Sequence, residues 1–222
     1  MILYIVATPI GNLEDITLRA LRILKEVDFI LSEDTRVTKK LLNHFEITGQ
    51  LISFHEYSEK TKFEKILNLL QEGKKIALVT DAGTPAISDP GAYLVKEIRE
   101  NLPEVKIIPI PGASALITLL SVAGAEKKEF TFLGFPPHKK GRKTFFEKVA
   151  QSDRPIIFYE STHRIIKALE SLQEECPDRK VILGKELTKI YEEVILGKPF
   201  EILEYFSLYP KKIKGEFVVL VE

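Results

Sequence analysis

Four short stretches of this 222-residue chain carry the residue types that let backbone approach a bound ligand. They are Ala7-Thr8-Pro9-Ile10-Gly11-Asn12, Ser32-Glu33-Asp34-Thr35-Arg36, the run DAGTPAISDPG from Asp81 to Gly91, and Pro111-Gly112-Ala113-Ser114-Ala115. Glycine and proline fix tight turns, and short polar side chains leave N–H and C=O groups within reach. Such loops suit a polar, mostly uncharged ligand held by backbone groups, and the Asp81 carboxylate is suited to accept from an amine or a ribose hydroxyl. Each stretch alone also reads as an ordinary turn, so the functional reading depends on whether they converge.

The elements around them say that they do. Residues 2–7, 29–31, 51–54, 76–80 and 106–110 are short apolar runs of strand type. Helical spacing separates them: a segment from Thr17 with Leu18, Leu21 and Leu24 on one face, residues 35–45, the Phe63, Ile66, Leu67, Leu70 series ended by Gly73, residues 92–101, and residues 113–122. Alternation of this kind predicts a mainly parallel α/β sheet, whose strands all end on one edge, where ligands bind. All four loops would meet there. Residues 123–129 lack apolar periodicity and read as a hinge. Beyond them, strands are expected at 130–135, 155–159, 181–184, 191–196 and 215–221, and helices at 143–151, 162–173 and 198–205. The middle helix would be capped by Ser161 and bury Ile165, Ile166, Leu169 and Leu172. Two α/β domains follow, residues 1–123 and 124–222.

Several chemistries are excluded. The chain has no G-x-G-x-x-G and no G-x-x-x-x-G-K-[ST], which argues against the ordinary dinucleotide fingerprint and the P-loop. His44, His55, His138 and His163 show no metal-ligand spacing, so no metal is expected. There is no G-x-S-x-G, and Cys176, the single cysteine, reads as a buried spectator thiol. Thirty-two Lys and Arg balance thirty-two Asp and Glu, so neither a basic nucleic-acid coat nor an acidic tail is present, although local basic patches are. The N-terminus meets Pro9 and Glu14 too early for a signal peptide, and no apolar run approaches the roughly 20 residues that span a bilayer. A soluble, cytoplasmic protein is expected.

The strings ATPIGNLEDIT, EDTR, DAGTPAISDPG, PGASA, FLGFPP, YESTHR, KELTK and KGEF, in this order from residue 3 to about 218, resemble the tetrapyrrole-methylase superfamily. Within it they are similar to the branch that 2′-O-methylates ribosomal RNA. Ser32, Thr80 and Thr162 depart from the residues usual in these strings, all by small exchanges. The resemblance implies S-adenosylmethionine as methyl donor, folded in a cleft between two α/β domains. It implies a decoding-centre cytidine ribose of 16S rRNA, or of the small ribosomal subunit, as acceptor, and a homodimer. Longer members carry a further C-terminal region, which this chain, ending at Glu222, is expected to do without. By motif position, Pro9, Ile10, Asp81, Gly83, Thr84, Ile87, Ser114 and Ala115 would line the donor site, closed by Tyr159, Leu187, Gly215 and Glu216.

Methyl transfer to a ribose hydroxyl needs in-line positioning and removal of a proton from a poor acid. Glu33, Asp34, Glu160 and Lys185 are the base candidates. Arg36 and Arg164 suit phosphate through a planar fork, and His163, a further base candidate, is placed with them among the RNA-binding residues. Lys139, Lys140, Arg142 and Lys143, following Phe135-Pro136-Pro137, would contact RNA backbone. Glu33 with Arg36, or Glu160 with Arg164, would equally serve as ion pairs that fix loops, and the lysine run as solvated surface. A precorrin-like small-molecule acceptor, or an RNA-binding module without catalysis, are the competing readings.

Overall fold

The computed structural model describes residues 1–55, 60–89, 91–125 and 128–222, which fold as two compact units, Met1–Ser114 and Ala115–Glu222. The expected hinge residues 126 and 127, and Pro90 of the DAGTPAISDPG run, lie outside the described residues.

In the first unit, strands β1 (Ile2–Val6), β2 (Phe29–Ser32), β3 (Gln50–Ser53), β4 (Lys75–Leu78) and β5 (Lys106–Ile110) form a sheet in the order β3-β2-β4-β1-β5. Every pairing is parallel, with Leu3 opposite Ile76 and Val6 opposite Ile110. Both faces are covered, which is why the strands read as continuous apolar runs rather than alternating ones. Helices α3 (Lys60–Gln71) and α4 (Gly91–Asn101) bury Ile66, Leu70, Leu94 and Ile98 against Leu3, Leu31 and Ile76 on one face. On the other, α1 (Leu18–Glu26) and α2 (Thr35–His44) bury Ala20, Ile23, Leu24 and Leu42 against Val6, Ile30 and Val79. Adjacent Ile30 and Leu31 thus serve different cores, as the period of two requires.

The apolar face of α1 differs from the expected one. Thr17 caps the helix, its Oγ1 accepting from Ala20 N at 3.0 Å. Leu18 is therefore the first helical residue and stands 85% exposed, while the buried stripe runs through Ala20, Ile23 and Leu24.

The second unit begins with α5 (Ala115–Ala123), followed by β6 (Thr131–Phe132), α6 (Arg142–Gln151), β7 (Ile156–Ser161), α7 (Ile165–Glu175), β8 (Val181–Lys185), β9 (Glu193–Gly197), α8 (Pro199–Leu208) and β10 (Glu216–Val221). Its sheet runs β6-β7-β10-β8-β9 and is mixed: β6 and β7 are parallel, and the other three pairings antiparallel. Helix α5 packs on β8 and β10, so closely that a Cβ on Gly184 would stand 2.9 Å from Leu119 Cδ1. That packing sets the division at 114/115, nine residues before the expected one. Cys176 is buried in this unit's core, and burial pushes its thiol above the ordinary value.

Helix α7 buries Ile165, Ala168, Leu169 and Leu172, with Ile166 partly covered, but Ser161 does not cap it. Ser161 is the last residue of β7, and Arg164, after one turn, occupies the N-cap position without a side-chain cap. The Ser161 hydroxyl instead accepts from Arg164 Nε at 3.3 Å.

Phe158 is wholly buried in β7 between Phe145 and Phe146, with ring centroids 5.5 and 6.0 Å away. Phe158→Ala is expected to cost about 3–5 kcal/mol in urea unfolding, mostly as a cavity. Ile190→Ala, at a residue 94% exposed, is expected to stay within about 0.5 kcal/mol of the parent.

Candidate functional site

Because β1, β2, β4 and β5 run parallel, the loops after them leave the first sheet at one edge. Two of these loops are joined directly. Thr8 N donates to Gly83 O at 2.9 Å and Gly83 N to Thr8 O at 3.1 Å, an antiparallel bridge beyond the end of the parallel ladder. The buried Thr8 hydroxyl donates to Thr80 O at 3.1 Å. A third loop is tied in by Thr84, whose Oγ1 donates to Ala113 O at 3.0 Å.

The glycines of these loops serve close approach. Gly83 has φ +84°, and a Cβ there would lie 3.2 Å from Ile10 Cγ2. On Gly112 a Cβ would stand 2.9 Å from the Ala7 Cβ. Ala86 is held at φ 69° by Asp89, whose carboxylate accepts from Ala86 N at 2.9 Å and from Gly91 N at 2.8 Å. Pro9 and Ile10 are buried, Ile87 is half exposed, and Ser114 is partly covered. The structure therefore brings Pro9, Ile10, Gly83, Thr84 and the 113–114 segment together on one edge, with an exposed acidic side chain, Asp81, alongside. This set fits an adenosine-bearing cationic donor in its chemistry: apolar walls, backbone donors and acceptors, and carboxylates favouring a sulfonium. Ala115 opens α5 and belongs to the second unit.

The carboxylates at this edge differ sharply. Asp34 caps α2, accepting from Arg36 N at 2.8 Å, and pairs with the Arg36 guanidinium, with Nη2 to Oδ2 at 2.6 Å. These bonds hold its carboxyl down at about 2, so it is a weak proton acceptor, and Arg36 is already engaged. Asp81 accepts from Asp34 N at 3.0 Å; partial burial nevertheless raises its carboxyl above the ordinary value, and the Asp34 charge adds to this. Glu33 is also raised, first by partial burial and then by the Asp81 and Asp89 charges, with His55 acting in the opposite sense.

The second unit holds the other predicted residues. Tyr159 packs between Phe132 and half-exposed Phe135, with ring centroids 4.9 and 5.4 Å away. Leu187 is buried. Gly215, at φ +88°, accepts from the Thr162 hydroxyl, and a Cβ on it would fall 2.1 Å from Glu186 Cδ. Glu216 N donates to Glu186 Oε1 at 3.0 Å, and Lys189 Nζ bridges Glu186 and Glu216 at 2.8 and 2.9 Å. Lys185 is buried, its Nζ 3.3 Å from Tyr191 O and 4.0 Å from Glu193.

Glu160 is fully buried, and its carboxylate is committed to two guanidiniums: Arg164 Nε at 3.0 Å and Arg142 Nη1 at 3.5 Å. Arg142 and Arg164 thus turn inward, each with side chains over four-fifths covered, whereas Lys139, Lys140, Lys143 and His163 are exposed. Lys143 lies 3.8 Å from Glu147, one helical turn on. The expectation of phosphate contacts through Arg142 and Arg164, and of a proton acceptor at Glu160, meets a geometry that suits neither role. A carboxylate already shared by two cations and a backbone N–H has little left to offer a hydroxyl. Thr8 and Asp89, which fix two of the loops, were not singled out from sequence; a threonine before proline and an aspartate before Pro-Gly are also commonplace turn residues.

The Glu33 and Asp81 shifts have a shared cause that substitution separates. In Asp81→Asn, Glu33 is expected to titrate at lower pH, nearer the ordinary value, as followed by NMR of its side-chain carboxyl carbon. Both raised groups bind protons more tightly folded than unfolded, so the stability they lend is present at low pH and lost as pH rises through the folded values. Asp81→Asn is accordingly expected to raise the melting temperature more at pH 7 than at pH 4.

Comparison with known proteins agrees with this arrangement. The sequence matches the family of Tetrapyrrole (Corrin/Porphyrin) Methylases over residues 2–202. It is 47% identical over 222 residues to the ribosomal RNA small subunit methyltransferase I of Halalkalibacterium halodurans, covering 99% of this chain and 75% of that one. The protein of the same name from Thermotoga maritima is 45% identical over 219 residues, covering 99% and 97% of the two chains. Among solved structures, a cobalt precorrin-4 methyltransferase superposes with a TM-score of 0.71 at 18% identity over 99% of this chain and 94% of that one. A uroporphyrin-III-C-methyltransferase from Thermus thermophilus gives 0.66 at 17% identity over 99% and 93% of the chains, so both likenesses concern the fold. With parallel strand ends carrying glycine-rich loops and near-full-length relatives at this identity, the chain belongs to the tetrapyrrole methylase family of S-adenosylmethionine-dependent methyltransferases.

Proposed function

We propose that this protein transfers a methyl group from S-adenosylmethionine to ribosomal RNA of the small subunit, at the 2′-oxygen of a decoding-centre cytidine. The observation that carries this reading is the 45–47% identity, over nearly the whole chain, to proteins named for small-subunit rRNA methylation. The donor supplies a methyl already activated on a sulfonium, so the work left to the chain is binding, alignment and removal of one proton.

The residues divide that work by their electrostatics. The Thr8–Gly83 bridge and the Thr84–Ala113 bond hold the loops that present backbone groups to the donor, and Asp81 lends negative charge for the cation. Glu33 is the general base. It stands beside the loop that carries Asp81, and its raised carboxyl holds a proton more firmly than Asp34 does, which suits it to accept one from a hydroxyl. Lys139, Lys140, Lys143 and His163, all exposed, supply the RNA contacts, and Phe135 offers a half-exposed ring to an unstacked base. The reading takes 16S rRNA or the small subunit as partner and a homodimer as the working form. Among the described residues no helix is long and apolar enough to cross a membrane.

The deciding assay is methyl transfer from labelled S-adenosylmethionine to small subunits lacking the modification, with nuclease mapping of the product. Label on a cytidine ribose of the decoding centre is expected; label only on a precorrin-like macrocycle would replace this reading with the small-molecule one. Glu33→Gln is expected to lower kcat by about a hundredfold or more with donor affinity little changed. In the parent enzyme activity should rise with pH as Glu33 ionises, above the ordinary 4.5, and that acidic limb should vanish in the variant.

A further inference from the structure

The Glu160 cluster has more structure than an ion pair needs. Glu160 Oε1 accepts from its neighbour Ser161 N at 2.8 Å and is ion-paired with Arg164, whose Nε lies 3.0 Å away. Arg164 continues outward, its Nη1 donating to Pro136 O at 3.0 Å. Glu160 Oε2 faces Arg142 Nη1 at 3.5 Å, and the same nitrogen lies 3.5 Å from Pro137 O. Arg142 is also the first residue of α6, and its guanidinium stacks over the Phe146 ring at 5.1 Å.

These contacts enclose one loop. Residues 133–141 leave β6, which pairs with β7 beside Glu160, and end at Gly141, the N-cap of α6 at φ 88°. Gly134 O accepts from Tyr159 N at 2.9 Å and starts the loop on the β7 backbone. Arg164 then grips its middle at Pro136, and Arg142 Nη1 approaches the next carbonyl, Pro137 O, at 3.5 Å. Helix α6 has no side-chain cap, and that end is held by backbone bonds, Arg142 N to Lys139 O at 3.2 Å and Phe145 N to Gly141 O at 2.9 Å. What the loop displays is exposed: Phe135, His138, Lys139 and Lys140.

We propose that Glu160 is a positioning residue for the acceptor. Its buried carboxylate braces Arg142 and Arg164 against the 136–137 carbonyls, so that the 135–140 loop is held rigid with its aromatic and basic side chains presented to RNA. This rests on the rRNA reading above. The energetic case is the cost of leaving buried cations unpaired. Arg142 Nη2 is buried without a hydrogen-bond partner among the described residues, so Glu160 is the carboxylate that balances both guanidiniums. Remove its charge and two largely covered cations repel across a few ångströms; the way to relieve that is for the arginines to swing out and release the loop.

The test compares Glu160→Gln with the parent in two measurements. Amide hydrogen exchange across residues 133–146 should speed up by about tenfold or more, with residues 1–55 unchanged. In methyl transfer to small subunits, KM for the subunit should rise by about tenfold while kcat and donor affinity stay near the parent values. Unchanged exchange in the loop would overturn the brace. A fall in kcat at constant KM would make Glu160 a catalytic group, and a parallel loss of donor-binding stoichiometry and kcat would make it a folding residue; either overturns the proposal. Should Glu160→Gln not fold, Arg164→Lys, which keeps the charge and loses the fork to Pro136, is read by the same two measurements and should shift both in the same direction. A parent protein that methylates no ribosomal RNA would overturn the rRNA reading and the acceptor half of this proposal, while the exchange result would still decide the brace.

Discussion

A parallel sheet ends in a row of backbone groups that its own ladder cannot pair, and something must satisfy them where they are covered. In the first unit this is done by turning the chain after β1 and after β4 toward each other, so that Thr8 and Gly83 exchange two hydrogen bonds just past the last parallel rung. The pairing needs a residue at positive φ on one side, which glycine provides, and a small neighbour on the other, which Ala7 and Gly112 provide. Pro9, Ile10, Thr84 and Ala113 then take their positions from that bridge. A bulky residue at 83 or 112 would separate the loops and remove the edge as a binding surface, even with every strand of the sheet intact.

The two units treat their carboxylates in opposite ways, and the difference follows from what surrounds each. Glu33 and Asp81 stand at the surface near other carboxylates, and partial desolvation with those charges raises both above the ordinary value, which costs stability at neutral pH. Like-charge proximity of this sort is a feature of sites that handle protons or cations. Glu160 is buried more deeply than either, yet it is matched by two guanidiniums and a backbone N–H. A buried and compensated carboxylate organises structure, whereas Glu33 and Asp81, more exposed and held above the ordinary value, are better placed to take up a proton.

Much of this was legible in the sequence because it depends on local patterns. The strands of the first unit, the periodic faces of α3 and α7, and the meeting of the four loops on one edge follow from apolar spacing and strand direction. The misreadings have other causes. Leu18 has helical spacing with Leu21, but the Thr17 cap sets the helix phase so that Leu18 faces solvent. Ser161 has the right type for a cap, but β7 extends through it because β10 is there to pair with it. Helix α5 follows the last loop of the first unit in sequence, and only its packing on β8 and β10 assigns it to the second. For Ser161 and α5 a partner distant along the chain decides between two locally acceptable structures, whereas for Leu18 the deciding contact is the adjacent cap.

The arginines show why the site was harder to read than the fold. Arg36, Arg142 and Arg164 all stand in motif-like strings and have the same capacity for phosphate, so residue type cannot separate them. Position in three dimensions does. Arg36 lies at the surface and pairs with its near neighbour Asp34, while Arg142 and Arg164 converge from different elements on the buried carboxylate of Glu160. A cation that satisfies a buried anion is unavailable to a ligand, whereas Lys139 and Lys140 of the neighbouring loop stand exposed, as the proposed RNA contact requires. The division of labour is consistent with the chemistry of the two side chains. Arginine's rigid fork suits holding a carboxylate and a carbonyl at once, and lysine's flexible stem suits a nucleic-acid backbone whose phosphates need only be neutralised.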